Sequence, residues 1–142
     1  MKSVLPLRIA SVLTFIHAVL HTVGGVFGKI PPGPASMVVE AMKANPFVAL
    51  GATRTFWQYY HGMGLAVSIF LFIESIVFWQ LGSVARTAAP QLRPIFASFL
   101  VTYLAMAVNS YLYFFMAPVI IEILIALCFL WTIVAAKPDP AG

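Results

Sequence analysis

Four long runs of apolar residues, separated by shorter polar or proline-containing stretches, dominate the sequence. They cover about residues 7–27, 56–81, 94–114 and 117–136. Each run has about 20 residues or more, which at about 1.5 Å per residue is enough to cross the hydrocarbon of a bilayer. The pattern predicts an all-α membrane protein, a four-transmembrane-helix bundle that forms a single domain over residues 1–142.

The first run is also compatible with a signal peptide, because Lys2 and Arg8 precede its apolar centre. No cleavage site of the A-x-A kind follows it, and three further spans come later in the chain. We therefore expect an uncleaved first transmembrane helix.

Residues 28–55 form the one long predicted loop. Gly28 and Gly33 and the three prolines of residues 31–34 end the first helix because they cannot continue it. In residues 35–44 the apolar side chains fall on one helical face, which predicts a short amphipathic helix lying on the membrane surface. This helix is expected to act as a cap over the bundle or as a lid over a cavity.

The ends of the spans carry aromatic and basic residues, which anchor membrane proteins and set their orientation. Residues 116–118 leave almost no loop between the third and fourth spans, so these helices are expected to be antiparallel neighbours. The predicted terminal side carries Lys2, Arg8, Arg86, Arg93 and Lys137, and the other side carries Lys29, Lys43 and Arg54. This bias predicts that both termini are cytoplasmic, in a bacterial inner membrane.

Composition agrees with a membrane location and excludes several functions. The chain is 62% hydrophobic and only 8% charged, whereas a globular protein is about 25% charged. The net charge of +4 comes from basic residues scattered singly, so no nucleic-acid partner is expected. The single cysteine, Cys128, lies in an apolar run and excludes thiol-pair redox chemistry.

Six polar or ionisable side chains lie inside the predicted spans, where they are costly and are usually kept for a reason. They are His17, His21, His61, Glu74, Asn109 and Glu122. When each helix midpoint is taken as the membrane centre, one residue from each helix reaches a similar layer beneath the long loop. These four are His21, His61, Asn109 and Glu122, the candidate catalytic residues, whereas Glu74 is expected in the opposite half.

The three histidines are also candidates for binding a cofactor. His17 and His21 are four residues apart on one helix face, a spacing that can supply two ligands to a metal ion. A haem would need an axial histidine from another helix, and His61 is the one available. The alternatives are histidines bonded inside the bundle or acting on substrate or protons, and no metal or cofactor is assigned.

The two intramembrane glutamates are expected to be protonated, paired or beside a water-filled cavity, because an ionised carboxylate is expensive there. Glu122 with His21 or His61 would make a general acid and base pair for a lipid-soluble substrate, or would hold helices together. Thr14 belongs to a row of small residues that favours close helix packing, and Tyr103 is expected to fill the core or face lipid.

The segment from Leu7 to Ala10, followed by residues 21–25 with the sequence HTVGG, resembles small bacterial membrane proteins of the DoxX-like kind. The resemblance covers the whole chain in its layout of four spans and only the first helix in its residue pattern. It implies a small bacterial membrane protein with four spans and carries over no catalytic position.

The sequence as a whole predicts a protein whose surroundings are the lipid bilayer and which binds a small hydrophobic molecule or a membrane partner subunit. One alternative is a membrane-embedded enzyme or redox carrier that uses His21, His61 and Glu122. Another is a small proton-coupled transporter with Glu74 or Glu122 as the carrier.

Overall fold

The computed structural model describes residues 3–136, which form five α-helices and one β-hairpin. The helices are α1 Val4–Leu20, α2 Pro34–Ala44, α3 Phe56–Ala88, α4 Arg93–Tyr113 and α5 Met116–Ala135, and the strands are β1 Pro46–Ala49 and β2 Ala52–Thr55. A π-helical segment, His21–Val26, continues α1. Lys2 and Lys137, on which the predicted orientation partly depends, lie outside the described residues.

Four helices are long and apolar enough to cross a membrane, namely Val4–Val26, α3, α4 and α5. The predicted all-α class with four such helices is therefore confirmed. The bounds of α4 and α5 lie within a few residues of the predicted spans, but α3 continues beyond Leu81 to Ala88. Packing sustains these last turns, because Gly82 lies against the Arg8 side chain and Ala85 is buried.

The chain divides into two compact units. Unit 1 consists of Met1–His17 and Leu71–Gly142, and unit 2 consists of Ala18–Phe70. Unit 1 thus contains most of α1, the later part of α3, and all of α4 and α5. Unit 2 contains the end of α1, the π-helical segment, α2, the hairpin and the earlier part of α3.

Unit 1 has an aromatic core contributed by three helices. The Phe78 ring of α3 meets the rings of Phe99 and Phe129 edge-on, with centroids 4.8 Å away in each case. The Phe99 and Phe129 rings stack at 5.3 Å, and Tyr103 stacks on Phe129 at 6.3 Å. These offset and edge-to-face pairs are the arrangements that aromatic rings prefer, and they join α3, α4 and α5.

The helix pairs of unit 1 run antiparallel. Along α1 and α3, Phe15 contacts Phe72, and the Ser11 hydroxyl donates to the Ser75 carbonyl at 2.6 Å. Earlier residues of α1 therefore meet later residues of α3. Helices α4 and α5 are joined by a two-residue turn, Phe114 and Phe115, and are packed neighbours, as the short connection predicts.

The hairpin of unit 2 lies where the sequence predicts only loop. Strands β1 and β2 pair antiparallel, with Pro46 opposite Thr55 and Ala49 opposite Ala52. The two-residue turn places both Leu50 and Gly51 at positive φ, 49° and 82°. Such turns favour Asn-Gly, so a leucine at the first position gives little sequence signal for a hairpin.

Helix α2 is present at the place where the amphipathic helix is expected. It starts after Gly33, whose φ of 120° suits glycine, with Pro34 in the first turn, and it ends at Asn45. Lys43 pairs with Glu40 at 2.8 Å on its exposed surface. No residue of α2 is buried, and its role as a cap or a lid stays a prediction.

Candidate functional site

Polar side chains from three helices meet in the middle of unit 1. The Tyr103 hydroxyl donates to Glu74 Oε2 at 2.9 Å and lies 3.4 Å from Thr14 Oγ1. The Thr14 hydroxyl also lies 2.9 Å from the Ala10 carbonyl, and its single proton serves one of these two acceptors. Thr14, Glu74 and Tyr103 are each within about two residues, or about 3 Å, of the midpoints of their apolar helices.

Glu122 of α5 makes a separate contact with α4. Ser110 donates to Glu122 Oε1 at 3.0 Å, and the glutamate is only 2% exposed. Its second oxygen, Oε2, is buried and has no hydrogen-bond partner among residues 3–136. Glu122 and Ser110 lie in unit 1, as do Thr14, Glu74 and Tyr103, and these five residues are called the polar region of unit 1.

The position of Glu74 along its helix differs from the sequence expectation, while its depth in a membrane stays a prediction. The prediction ended the second span at Leu81 and therefore placed Glu74 in the half of the membrane opposite to Glu122. Since α3 extends to Ala88, its midpoint falls at Phe72, and Glu74 lies next to the centre of the helix. Its partner Tyr103 lies at the midpoint of α4.

His17 lies in unit 1, about one turn beyond Thr14 on α1. Its side chain is 9% exposed and interacts with neighbouring residues. His21, four residues later, belongs to unit 2. The part of the chain that the structure describes holds no group of three or more His, Cys, Asp or Glu side chains that could bind a metal ion.

His21 begins the π-helical segment and ties it to α3. Its Nε2 lies 3.1 Å from the Gly64 carbonyl oxygen, which can only accept, so Nε2 carries the proton in this contact. Next to it, Thr22 donates to Ser68 Oγ at 2.9 Å or to the Ala18 carbonyl at 2.7 Å. The role best supported for His21 is to hold two helical segments of unit 2 together.

His61 lies in an aromatic cluster of unit 2. Its ring is 5.6 Å from both the Phe27 and the Trp57 rings, and the Lys43 ammonium lies 5.8 Å from the Trp57 ring. Phe47 of β1 contacts Phe56 and Tyr59 in the same unit. These contacts are typical of packing at the end of a helix rather than of a ligand set.

Asn109 is exposed on α4, whereas its neighbour Ser110 is buried and bonds Glu122. In unit 1 the structure thus joins Glu122 with Ser110 and not with Asn109, and in unit 2 His21 and His61 have separate partners. The meeting of all four candidate residues stays a prediction.

The polar region of unit 1 contains Thr14, Tyr103 and Ser110, which the sequence analysis did not select. Tyr103 fills the core, one of the two places expected for it, since it is only 3% exposed, and its hydroxyl in addition donates to a carboxylate. The available signal was the position of this hydroxyl at the middle of an apolar run, because a buried tyrosine needs a partner for its O–H.

A groove runs along the outside of unit 1 between α1 and α3. It has a volume of about 260 Å³, is open to the surroundings, and is lined by Ser11, Val12, Phe15, Ser75, Ile76 and Trp79. Both serine hydroxyls are already bonded within the protein, Ser11 to the Ser75 carbonyl and Ser75 to the Phe72 carbonyl. The groove therefore offers mainly apolar surface.

Comparison of the chain with protein-family models, curated proteins and solved structures found no match.

Proposed function

We propose that this chain is an integral membrane protein that crosses the bilayer four times and binds a small hydrophobic molecule in the groove between α1 and α3. Four helices have the length and apolar composition needed to cross a bilayer. Large apolar side chains also cover their outer surfaces, for example Phe70, Val101 and Ile120. Such a surface is stable in lipid and would aggregate in water.

The chemistry of the groove is the observation that carries the binding proposal. The hydroxyls of Ser11 and Ser75 each donate their proton to a carbonyl inside the protein, so neither has a donor left for a polar ligand. Val12, Phe15 and Ile76 supply the remaining walls with Trp79. A hydrocarbon chain fits this lining because it loses no hydrogen bonds on entering it.

A photoreactive hydrocarbon tests this function. Purified protein in detergent is irradiated with an uncharged methyl ester of a diazirine-labelled fatty acid, and labelled residues are mapped by mass spectrometry. We expect saturable labelling of Val12, Phe15 and Ile76 that unlabelled ester competes away. Ile120 and Leu127 of α5 have similar exposure and serve as controls, where labelling should rise linearly with probe.

A groove-filling variant sharpens the experiment. Ile76→Trp should abolish saturable labelling, whereas Leu127→Trp on α5 should leave it intact. Equal, non-saturable labelling of groove and control residues would rule the binding site out. Crosslinking of groove residues to a second polypeptide would instead favour the partner-subunit alternative and contradict the small-molecule proposal.

The other functions stay predictions from the sequence. An enzyme or redox carrier needs His21, His61 and Glu122 at one site, and a proton-coupled transporter needs a path to Glu74 or Glu122. The DoxX-like resemblance likewise remains an expectation from the residue pattern of the first helix.

A further inference from the structure

Arg8 stands at one end of the groove and is held in place by α3. Its guanidinium carbon lies 3.6 Å from the centre of the Trp79 ring, and its Nη2 donates to Ser83 Oγ at 2.8 Å. A side chain at Gly82 would come within 3.2 Å of Arg8 Nε, so the absence of a Cβ there lets the arginine lie flat. Trp79 is therefore both a groove wall and the platform for a cation.

The charge of Arg8 has no anionic partner in the described part of the chain. Of the three carboxylates there, Glu40 pairs with Lys43, Glu74 bonds Tyr103 and Glu122 bonds Ser110. Arg8 Nη1 is buried and also has no hydrogen-bond partner among residues 3–136. A charge near the end of a span is stabilised by an anion, and no carboxylate of residues 3–136 supplies one to Arg8.

Two further arginines share this end of unit 1. Arg86 is in the last turns of α3 and Arg93 begins α4. Because α1 and α3 are antiparallel, and Phe78 and Glu74 of α3 meet Phe99 and Tyr103 of α4, these arginines and Arg8 lie towards the same end. The described residues at this end include no carboxylate, so it favours a ligand of net negative charge.

We propose that the occupant of the groove is an anionic glycerophospholipid, with an acyl chain along the groove and its phosphate beside Arg8. This inference rests on the proposed function and names its ligand class. Phe15, at the far end of the groove lining, is about 10 Å from Arg8 along α1. Guanidinium groups suit phosphate because their N–H donors match its oxygens in charge and geometry.

Binding of two lipids with identical chains tests the proposal. Delipidated protein is titrated with short-chain phosphatidylglycerol or phosphatidylcholine, and bound lipid is counted by native mass spectrometry. We expect phosphatidylglycerol to bind at least about tenfold more tightly, since one charge-assisted contact accounts for that difference. The preference should decline as salt is raised, because salt screens a partly exposed charge pair.

Substitutions of arginine residues show which side chain causes the preference for phosphatidylglycerol. Arg8→Gln should reduce phosphatidylglycerol binding to the level of phosphatidylcholine, and Arg8→Lys should keep a preference because it keeps the charge. Arg54→Gln removes the same charge from an exposed residue of β2 in unit 2 and should change nothing. If Arg8→Gln does not fold, Arg8→Lys and the salt titration decide, since loss of the preference with the charge kept, or a preference that salt leaves unchanged, would overturn the role of the Arg8 charge.

The outcomes separate the two proposals. Equal saturable binding of both lipids, abolished by Ile76→Trp, would keep the hydrophobic site and overturn the anionic ligand. Absence of saturable binding by either lipid would overturn both. Competition by soluble glycerol phosphate as strong as that by phosphatidylglycerol would show an anion site without a chain site, and would also contradict the inference.

Discussion

Tyr103 carries the hydroxyl on which the polar contacts at the centre of unit 1 depend. It donates to Glu74 and lies beside Thr14, so α1, α3 and α4 meet at one side chain. A carboxyl group in an apolar setting needs such a donor, because burial of an unpaired polar group is costly. The hydroxyl therefore stabilises the glutamate as well as the helix contacts.

We expect Tyr103→Phe to lower the free energy of unfolding by about 1–2 kcal/mol, since Glu74 loses its donor within an apolar bundle. Unfolding can be followed through the reactivity of Cys128. It is buried and is the single cysteine of the chain, so a thiol-reactive fluorogenic dye reacts with it as the protein unfolds.

Tyr111→Phe is the matched control for this variant, because Tyr111 is an exposed residue of the same helix. It should leave the unfolding midpoint unchanged. Equal midpoints for Tyr103→Phe and the wild type would show that the hydroxyl contacts contribute nothing to stability.

The sequence identified part of this polar region. Glu74 and Glu122 stand out because carboxyl groups are rare in apolar runs. Thr14 and Tyr103 do not, because threonine and tyrosine are common in membrane helices and their partners depend on how the helices are rotated. Helix rotation follows from packing across the bundle, which a single sequence does not specify.

Among the elements, the π-helical segment His21–Val26 depends on a close approach of two glycines. A Cβ at Gly28 would lie 2.0 Å from the Gly24 carbonyl oxygen, a distance that no real side chain allows. A Cβ at Gly24 would meet no atom within 4 Å. Substitution by alanine is therefore expected to have opposite effects at these two glycines.

We expect Gly28→Ala to destabilise the end of this segment by more than about 1 kcal/mol, because the backbone has to shift to admit the methyl group. Gly24→Ala should be neutral or stabilising by up to about 1 kcal/mol, since alanine restricts the unfolded chain and favours a helix.

Amide hydrogen exchange over residues 21–28 measures the difference between these two variants. Faster exchange is expected in Gly28→Ala only. Similar exchange in both variants would mean that the close approach of Gly24 and Gly28 is not needed for this segment.

The long helices are predictable from the sequence because an apolar run of about 20 residues has few other structures available. The end of α3 is less so, since Gly82 and Ala85 continue the helix through contacts with Arg8 and the core rather than through hydropathy. The hairpin was missed because Leu50 occupies a turn position that usually carries Asn, Asp or Gly.

For the whole molecule, the proposed four crossings would place both termini on one side of the membrane. The bias of basic residues predicts that this side is the cytoplasm. The described residues that contribute to it are Arg8, Arg86 and Arg93, against Lys29, Lys43 and Arg54, so the predicted difference depends on Lys2 and Lys137.

Cysteine labelling in intact bacterial cells tests this orientation. On a Cys128→Ser background, we expect a membrane-impermeant maleimide to label Thr53→Cys in β2. It should label Thr87→Cys near the end of α3 only after the cells are permeabilised. Both positions are exposed threonines, which makes the pair a matched one. The reverse pattern would place the termini outside.

The length of α3 bears on the membranes that suit this protein. Its 33 residues span about 50 Å, whereas the hydrocarbon of a bilayer is about 30 Å thick. The other three apolar helices, of 20 to 23 residues, match that thickness closely. In a bilayer, hydrophobic mismatch would therefore act mainly through these shorter helices, while the surplus turns of α3, with Arg86, would reach into the headgroups. A thicker bilayer would be opposed by the three shorter helices and tolerated by α3.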